Sequence, residues 1–379
     1  MKRTGLWRSG IFFLLLAVLA GCVGGWREDP VRVYPPSLLP SEAPETAFDL
    51  PPIRRIDLRA GNPYRHFATY GQCQIGLSPR TDPASGLSVI SDEGRAKVER
   101  CVSLALREQV NVLILPELAL AFREATRLPL MENLRRTAQE KGLVIVAGSF
   151  YDGSRRSRLP VIGPGWEVHG YKLKPSRFEA SPLHGKGMRE GPELLILETV
   201  YGRIVPLTCV DLISDAVQYS VRNLATRGQV DVVVNVNFNP AAWEFMIEAN
   251  GVARRHPLVV SITNVSGPPE ARRTAQCRQQ GDDGRCFGHS ALFASLRERD
   301  SDCPNCASAL SDLVEPAFKT GGLRSLPYDT LAATVPPLDE AMLIYDLNLR
   351  LLREPAVSNA PDQGYPVVRN VRRLPLDAP

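Results

Sequence analysis

Four nearly continuous apolar runs constrain this chain more than any other feature: residues 110–115 (VNVLIL), 143–150 (LVIVAGSF), 230–236 (VDVVVNV) and 258–265 (LVVSITNV). Runs that lack the alternation of a half-exposed strand predict strands covered on both faces, and sheets of that kind belong to α/β proteins. Helical periods lie between them. Ser91 or Asp92 can cap a helix in which Val98, Cys101, Val102 and Ala105 form a core-facing stripe. Met131, Leu134 and Ala138 mark a second helix ended by Gly142, Val217, Val221 and Leu224 a third stopped by Gly228, and residues 243–255 a fourth. The second half repeats the layout of the first without a residue-level repeat. With 379 residues and 44% hydrophobic content, the chain can form one large α/β domain or two average ones.

The flanks read differently. Lys2, Arg3 and Arg8 precede an apolar stretch at residues 11–20 and then Leu19-Ala20-Gly21-Cys22, the layout of a signal peptide over residues 1–21. The stretch falls short of the roughly 20 residues that span a bilayer. LAGC resembles the lipobox of bacterial lipoproteins, which implies cleavage before Cys22, a lipid on that thiol and a membrane-tethered mature chain. Val23 follows the cysteine in place of an aspartate, which in a Gram-negative host implies outer-membrane sorting. The alternative is ordinary secretion. Residues 22–62 carry Pro30, Pro35, Pro36, Pro40, Pro44, Pro51 and Pro52 and read as a tether, with the first strand expected at 66–77. Residues 354–379 read as a proline-punctuated tail without a core pattern. A net charge of only +4 without a basic tract excludes nucleic acid as a favoured partner.

Chemistry concentrates where strands stop. The 110–115 run leads into Pro116-Glu117; a hairpin about Gly163-Pro164-Gly165 delivers Lys172, Lys174 and Pro175; and a strand pair about Tyr201-Gly202 ends on Cys209. A cysteine between strand and helix sits where N–H groups favour thiolate and can steady an oxyanion. Each residue has an ordinary alternative: a solvent-facing acid, a surface lysine, a core cysteine. Together they supply a base, a fixed positive charge and a nucleophile.

The segments VLILPELAL (112–120), YKLKPSRFE (171–179) and PLTCVDL (206–212) resemble the strand-Glu, lysine and strand-Cys motifs of the nitrilase superfamily of carbon-nitrogen hydrolases. The resemblance covers residues 67–353 and extends to residues 248–264 and Gly288-His289-Ser290. It implies an α/β four-layer αββα sandwich with mixed sheets, Glu117 as general base, Lys172 as catalytic lysine, Cys209 as nucleophile and Glu179 as supporting carboxylate. Pro175 sets the register against Lys174. The backbone N–H of Val210 would share the oxyanion with Lys172. The implied reaction is hydrolysis of an amide in a small or peptidic substrate through a thioester on Cys209, and it needs no metal or organic cofactor. Members associate through a helix-covered face and C-terminal arms, which implies a homodimer or larger.

True nitrilases usually carry Trp-Glu after the nucleophile, where Val210-Asp211 stands here, so an amide is the expected substrate rather than a nitrile. Two other readings are an N-acyltransferase using the same thioester and a catalytically idle envelope binding module. Cys73 and Cys101 read as inert core residues. In an irregular, cysteine-rich insertion at 267–326, Cys277, Cys286, Cys303 and Cys306 fit two disulfides outside the cytoplasm, with a zinc knuckle at Cys303 and Cys306 as the alternative.

Overall fold

The computed structural model describes residues 49–180, 187–240, 242–267, 287–294, 313, 330–353 and 367–377. The expected signal peptide, Cys22, most of the tether and Cys277, Cys286, Cys303 and Cys306 lie outside the described residues. In chain order the strands are β1 (Ile53–Asp57), β2 (Phe67–Gln74), β3 (Pro79–Thr81), β4 (Ser88–Ile90), β5 (Val112–Ile114), β6 (Val144–Val146), β7 (Phe150–Tyr151), β8 (Ser157–Gly163) and β9 (Trp166–Tyr171). They continue as β10 (Leu194–Thr199), β11 (Gly202–Thr208), β12 (Val232–Asn237), β13 (Val259–Asn264), β14 (Ala291–Ala294), β15 (Leu331–Thr334), β16 (Ala341–Asn348) and β17 (Val368–Pro375). The helices are α1 (Asp92–Arg107), α2 (Glu124–Lys141), the short α3 (Arg177–Ala180), α4 (Asp215–Thr226), α5 (Ala242–Arg255) and α6 (Leu349–Arg353). A 3-10 turn spans Cys209–Ile213.

Residues of each apolar run point alternately to opposite faces, and the two sets enter different cores. Val112 and Ile114 of β5 meet Val232, Val234 and Val236 of β12 in a core between two sheets. Leu113 turns the other way, onto Val98, Val102, Leu130 and Leu134 of α1 and α2. On the opposite side Val233 and Val260 pack on Val217, Val221, Phe245 and Met246 of α4 and α5. The result is the expected αββα sandwich. One sheet runs β1-β10-β11-β12-β13-β14-β15; the other runs β17-β16-β2-β5-β6-β8, with β7 and β9 both on β8. Parallel pairing joins β11, β12 and β13 in the first and β2, β5 and β6 in the second, with antiparallel neighbours around them.

Three expectations are corrected. The tether ends earlier than residue 62, because β1 pairs in parallel with β10 from Ile53↔Leu194 to Asp57↔Glu198. The C-terminal tail includes β17, which pairs with β16, and in and beside this strand Val367, Val368 and Leu376 are buried. Cys73 of β2 and Cys101 of α1 are joined in a disulfide with Cα atoms 6.2 Å apart, binding a helix to the sheet it covers. The bridge closes a 28-residue separation, a loop whose closure entropy stabilises the fold by about 3–4 kcal/mol. Replacing both cysteines by alanine is expected to remove that amount in a urea melt, with the slope of the transition steepened by a less compact unfolded chain.

Candidate active site

Glu117, Lys172 and Cys209 all stand just past the carboxyl ends of strands: Lys172 and Cys209 directly after β9 and β11, Glu117 three residues after β5. The strands belong to different sheets, so the group straddles the top of the sandwich. The Pro116-Glu117 turn is held from behind by the 147–149 loop. Leu118, at φ +65°, donates its N–H to Ser149 Oγ at 3.1 Å, and any side chain at Gly148 would run into the Pro116 carbonyl oxygen. Glu117, Lys172 and Glu179 are each 3% exposed and Cys209 5%.

Lys172 Nζ lies 3.0 Å from Glu117 Oε1 and 2.8 Å from Glu179 Oε2. The other Glu117 oxygen accepts the N–H of Phe238 at 2.8 Å, just beyond β12. Glu179 accepts the Tyr151 hydroxyl at 2.9 Å and the Ser176 N–H at 2.8 Å. One ammonium thus serves two buried carboxyl groups, and the surroundings separate them. At Glu117 burial dominates and the neighbouring Glu179 adds to it, so its carboxyl is raised above the ordinary range against the pull of Lys172. Burial acts on Glu179 too, but Lys172 and the Ser176 hydrogen bonds overcome it and bring that carboxyl down to about 2. Glu179 keeps its charge beside Lys172, and Glu117 is the more readily protonated of the two.

That division has a stability signature. The depressed carboxyl of Glu179 stabilises the fold fully above the unfolded value near 4.5, and the contribution is lost as pH falls toward 2. A separation of this size corresponds to on the order of 3 kcal/mol. Glu179→Gln is expected to melt well below the unsubstituted protein at pH 7, and the gap should close as urea melts are repeated toward pH 2.

Cys209 heads the 3-10 turn with φ +51°, a left-handed backbone that costs a non-glycine residue about 1–2 kcal/mol. The surroundings do not favour thiolate as the sequence suggested. Burial pushes the thiol well up, and both glutamates add to the rise, with Lys172 the main opposing influence. Cys209 is therefore held as a thiol rather than a thiolate. Lys172, in turn, is held firmly protonated: burial works against the ammonium, but the carboxyl groups of Glu117 and Glu179 outweigh it. Asn239 Nδ2 approaches Cys209 Sγ at 4.0 Å, and Asn264 at the end of β13 pins the Asn239 backbone through both its N–H (3.1 Å) and its C=O (2.7 Å).

The structure brings Glu117, Lys172 and Glu179 into direct contact beside Cys209 and leaves Lys174 out, its ammonium 2.9 Å from Glu190 at the surface. Tyr151, Phe238, Asn239 and Asp211 are site residues that the sequence reading missed. Asn239-Pro240 closes the 230–236 strand run in the way Pro116-Glu117 closes 110–115, so the same strand-end rule nominates it.

No protein-family model matches the sequence, and no curated protein sequence matches it. Solved structures do. The C. elegans NitFhit protein superposes with a TM-score of 0.50 at 14% identity, over 80% of this chain and 67% of that one. An amidase from Nesterenkonia sp. AN1, of the nitrilase superfamily, gives 0.49 at 14% over 79% and 98%. Saccharomyces cerevisiae Nit3, of branch 10 of that superfamily, gives 0.48 at 13% over 79% and 98%. At these identities the likeness concerns architecture alone: the chain has a four-layer αββα fold, on which the NitFhit protein superposes.

Proposed function

We propose that the protein hydrolyses a carbon-nitrogen bond, that of an amide, through a thioester on Cys209. The observation that carries this reading is one buried ammonium shared by two carboxylates of opposite pKa displacement beside a buried thiol. Glu117 takes the thiol proton as sulfur bonds to the carbonyl carbon, and the carbonyl π electrons move to oxygen. Lys172 Nζ and the Val210 N–H hold that oxyanion. The intermediate collapses with cleavage of the C–N bond, and Glu117 hands its proton to the departing nitrogen. A water molecule, deprotonated by Glu117, then attacks the thioester; collapse releases the acid, and the thiolate recovers the proton. Glu179 keeps Lys172 charged and aimed throughout.

The proposal extends to location: an exported enzyme, lipid-anchored at Cys22. The buried Cys73–Cys101 disulfide supports this, since such bonds persist in oxidising compartments.

The test is release of ammonia and free amines by the purified protein across a panel of amides, carbamoyl compounds and nitriles, with mass spectrometry following mass added at Cys209. Turnover of an amide with a transient acyl adduct establishes the reading and names the substrate class. A stable adduct released only by added amines replaces it with acyl transfer. Absence of both turnover and adduct defeats it.

A further inference from the structure

Asp211 is a buried titratable group that the reaction above does not use. It is 0% exposed, and its carboxylate accepts three backbone N–H groups. Oδ1 accepts the N–H of Leu173 and of Lys174, each at 2.9 Å, and Oδ2 accepts the N–H of Thr208 at 3.1 Å. Leu173 and Lys174 are the two residues after Lys172, and Thr208 is the residue before Cys209. One carboxylate therefore joins the root of the lysine to the root of the nucleophile, across a gap between strands of different sheets.

We infer that Asp211 is a positioning residue, which locks the nucleophile turn and the lysine-bearing strand end into one frame so that Cys209 and Lys172 keep a fixed relation. The inference rests on the hydrolase reading for its effect on turnover, but the geometry behind it does not. Two features of the site call for such a lock. The left-handed backbone of Cys209 is held by the carboxylate that closes the turn from Thr208 to Asp211. The ammonium of Lys172 is fixed at its tip by Glu117 and Glu179 but needs an independent hold at its backbone, or the glutamates could draw it away from the sulfur. A carboxylate suits the task because three converging N–H donors require acceptors on both sides, and an amide would turn an N–H2 toward one of them. Burial pushes the Asp211 carboxyl up to about 7 even though the amides of Lys174, Leu173 and Thr208 and the charge of Lys172 pull against it. An apolar residue would fill the space at less cost, which argues that the hydrogen bonds are the purpose.

The experiment uses the full chain purified in detergent, with Asp211→Asn and Asp211→Ala. Turnover of the amide substrate should fall about 10-fold in the first and about 100-fold in the second, through kcat, with KM within about threefold. The alkylation rate of Cys209 by iodoacetamide, read on its own peptide by mass spectrometry, gives a measure that needs no amide substrate. Asp211→Asn should change that rate at least about fivefold in the otherwise unsubstituted protein and less than about twofold in a Lys172→Met background, the non-additivity expected of residues acting as a unit. If no amide is turned over but this coupling is seen, the hydrolase reading fails and the positioning role stands. Variants that melt like the parent and keep its kcat, or alkylation changes equal in both backgrounds, overturn the inference. Should neither variant fold, hydrogen exchange in the unsubstituted protein decides: the amides of Leu173, Lys174 and Thr208 should exchange slowly and together, and rapid exchange at any of them overturns it.

Discussion

Cys209→Ala is expected to lower amide turnover by about 10⁴-fold or more, the scale of losing a nucleophile from a unit that works only when complete. The loss should not come from unfolding. Cys209 packs with Leu173, Leu207 and Leu212 beneath the helices, and trading its sulfur for hydrogen removes a single buried atom, about 1 kcal/mol by the usual measure of core truncation. The left-handed backbone at φ +51° is equally strained for alanine, so neither relief nor new strain enters. The check is ammonia release beside a urea melt, with the midpoint nearly unmoved and no mass added at position 209. Turnover that survives in this variant would remove the thioester, and with it the proposed reaction.

Lys172→Ala should damage both activity and folding. It removes a charged donor from the developing oxyanion, about 10²–10³-fold in kcat. It also leaves Glu117 and Glu179, each 3% exposed, without the cation that both contact. Breaking a buried ion pair in this way costs about 3–5 kcal/mol at neutral pH. With the ammonium gone, both carboxyl groups are pushed up by burial, and the folded variant binds protons more readily than its unfolded chain. Its stability must therefore rise as pH falls from 7 toward 5. Urea melts across that range should show the deficit shrinking with acidity. A deficit that stays constant with pH would mean that packing, not charge, is what Lys172 contributes.

The layers of the sandwich could be read from residues 110–115, 143–150 and 230–236, because unbroken apolar runs fit only strands covered on both sides. The strand ends then named Glu117, Lys172 and Cys209, whose convergence follows from topology: the carboxyl ends of β5, β9 and β11 meet at one end of the two sheets. The edges of the sheets were not readable. Strand β1 (IRRID) is mostly polar and exposed and strand β17 (VRNVRRLP) mostly polar and half-buried, as suits edges that must resist pairing with other chains, and so neither carries an apolar period. Cys73 and Cys101 were hidden for the opposite reason. Each occupies a core-facing position that any small apolar residue could fill, and only the placement of α1 on the sheet shows that they meet. Asp211 and Asn264 act through backbone groups of distant segments, and no local spacing announces such partners. The thiol's raised pKa likewise depends on how deeply the site is closed, which strand periodicity does not report.

Strand β2 lies between β5 and β16, and it pairs with β16 over its whole length, from Phe67↔Asn348 to Gln74↔Ala341. The Thr69 and Asp346 side chains joined across that pair are 277 residues apart in sequence. Pairing so distant makes folding slow, since the entropy of closing the chain is spent before the contacts repay it. During synthesis, the strand beside Glu117's own keeps one edge open until nearly the whole polypeptide has emerged. The end of the sandwich that carries Glu117 is thus among the last parts to be fixed, and a chain cut short before Ala341 exposes a hydrophobic strand edge of the kind that seeds aggregation.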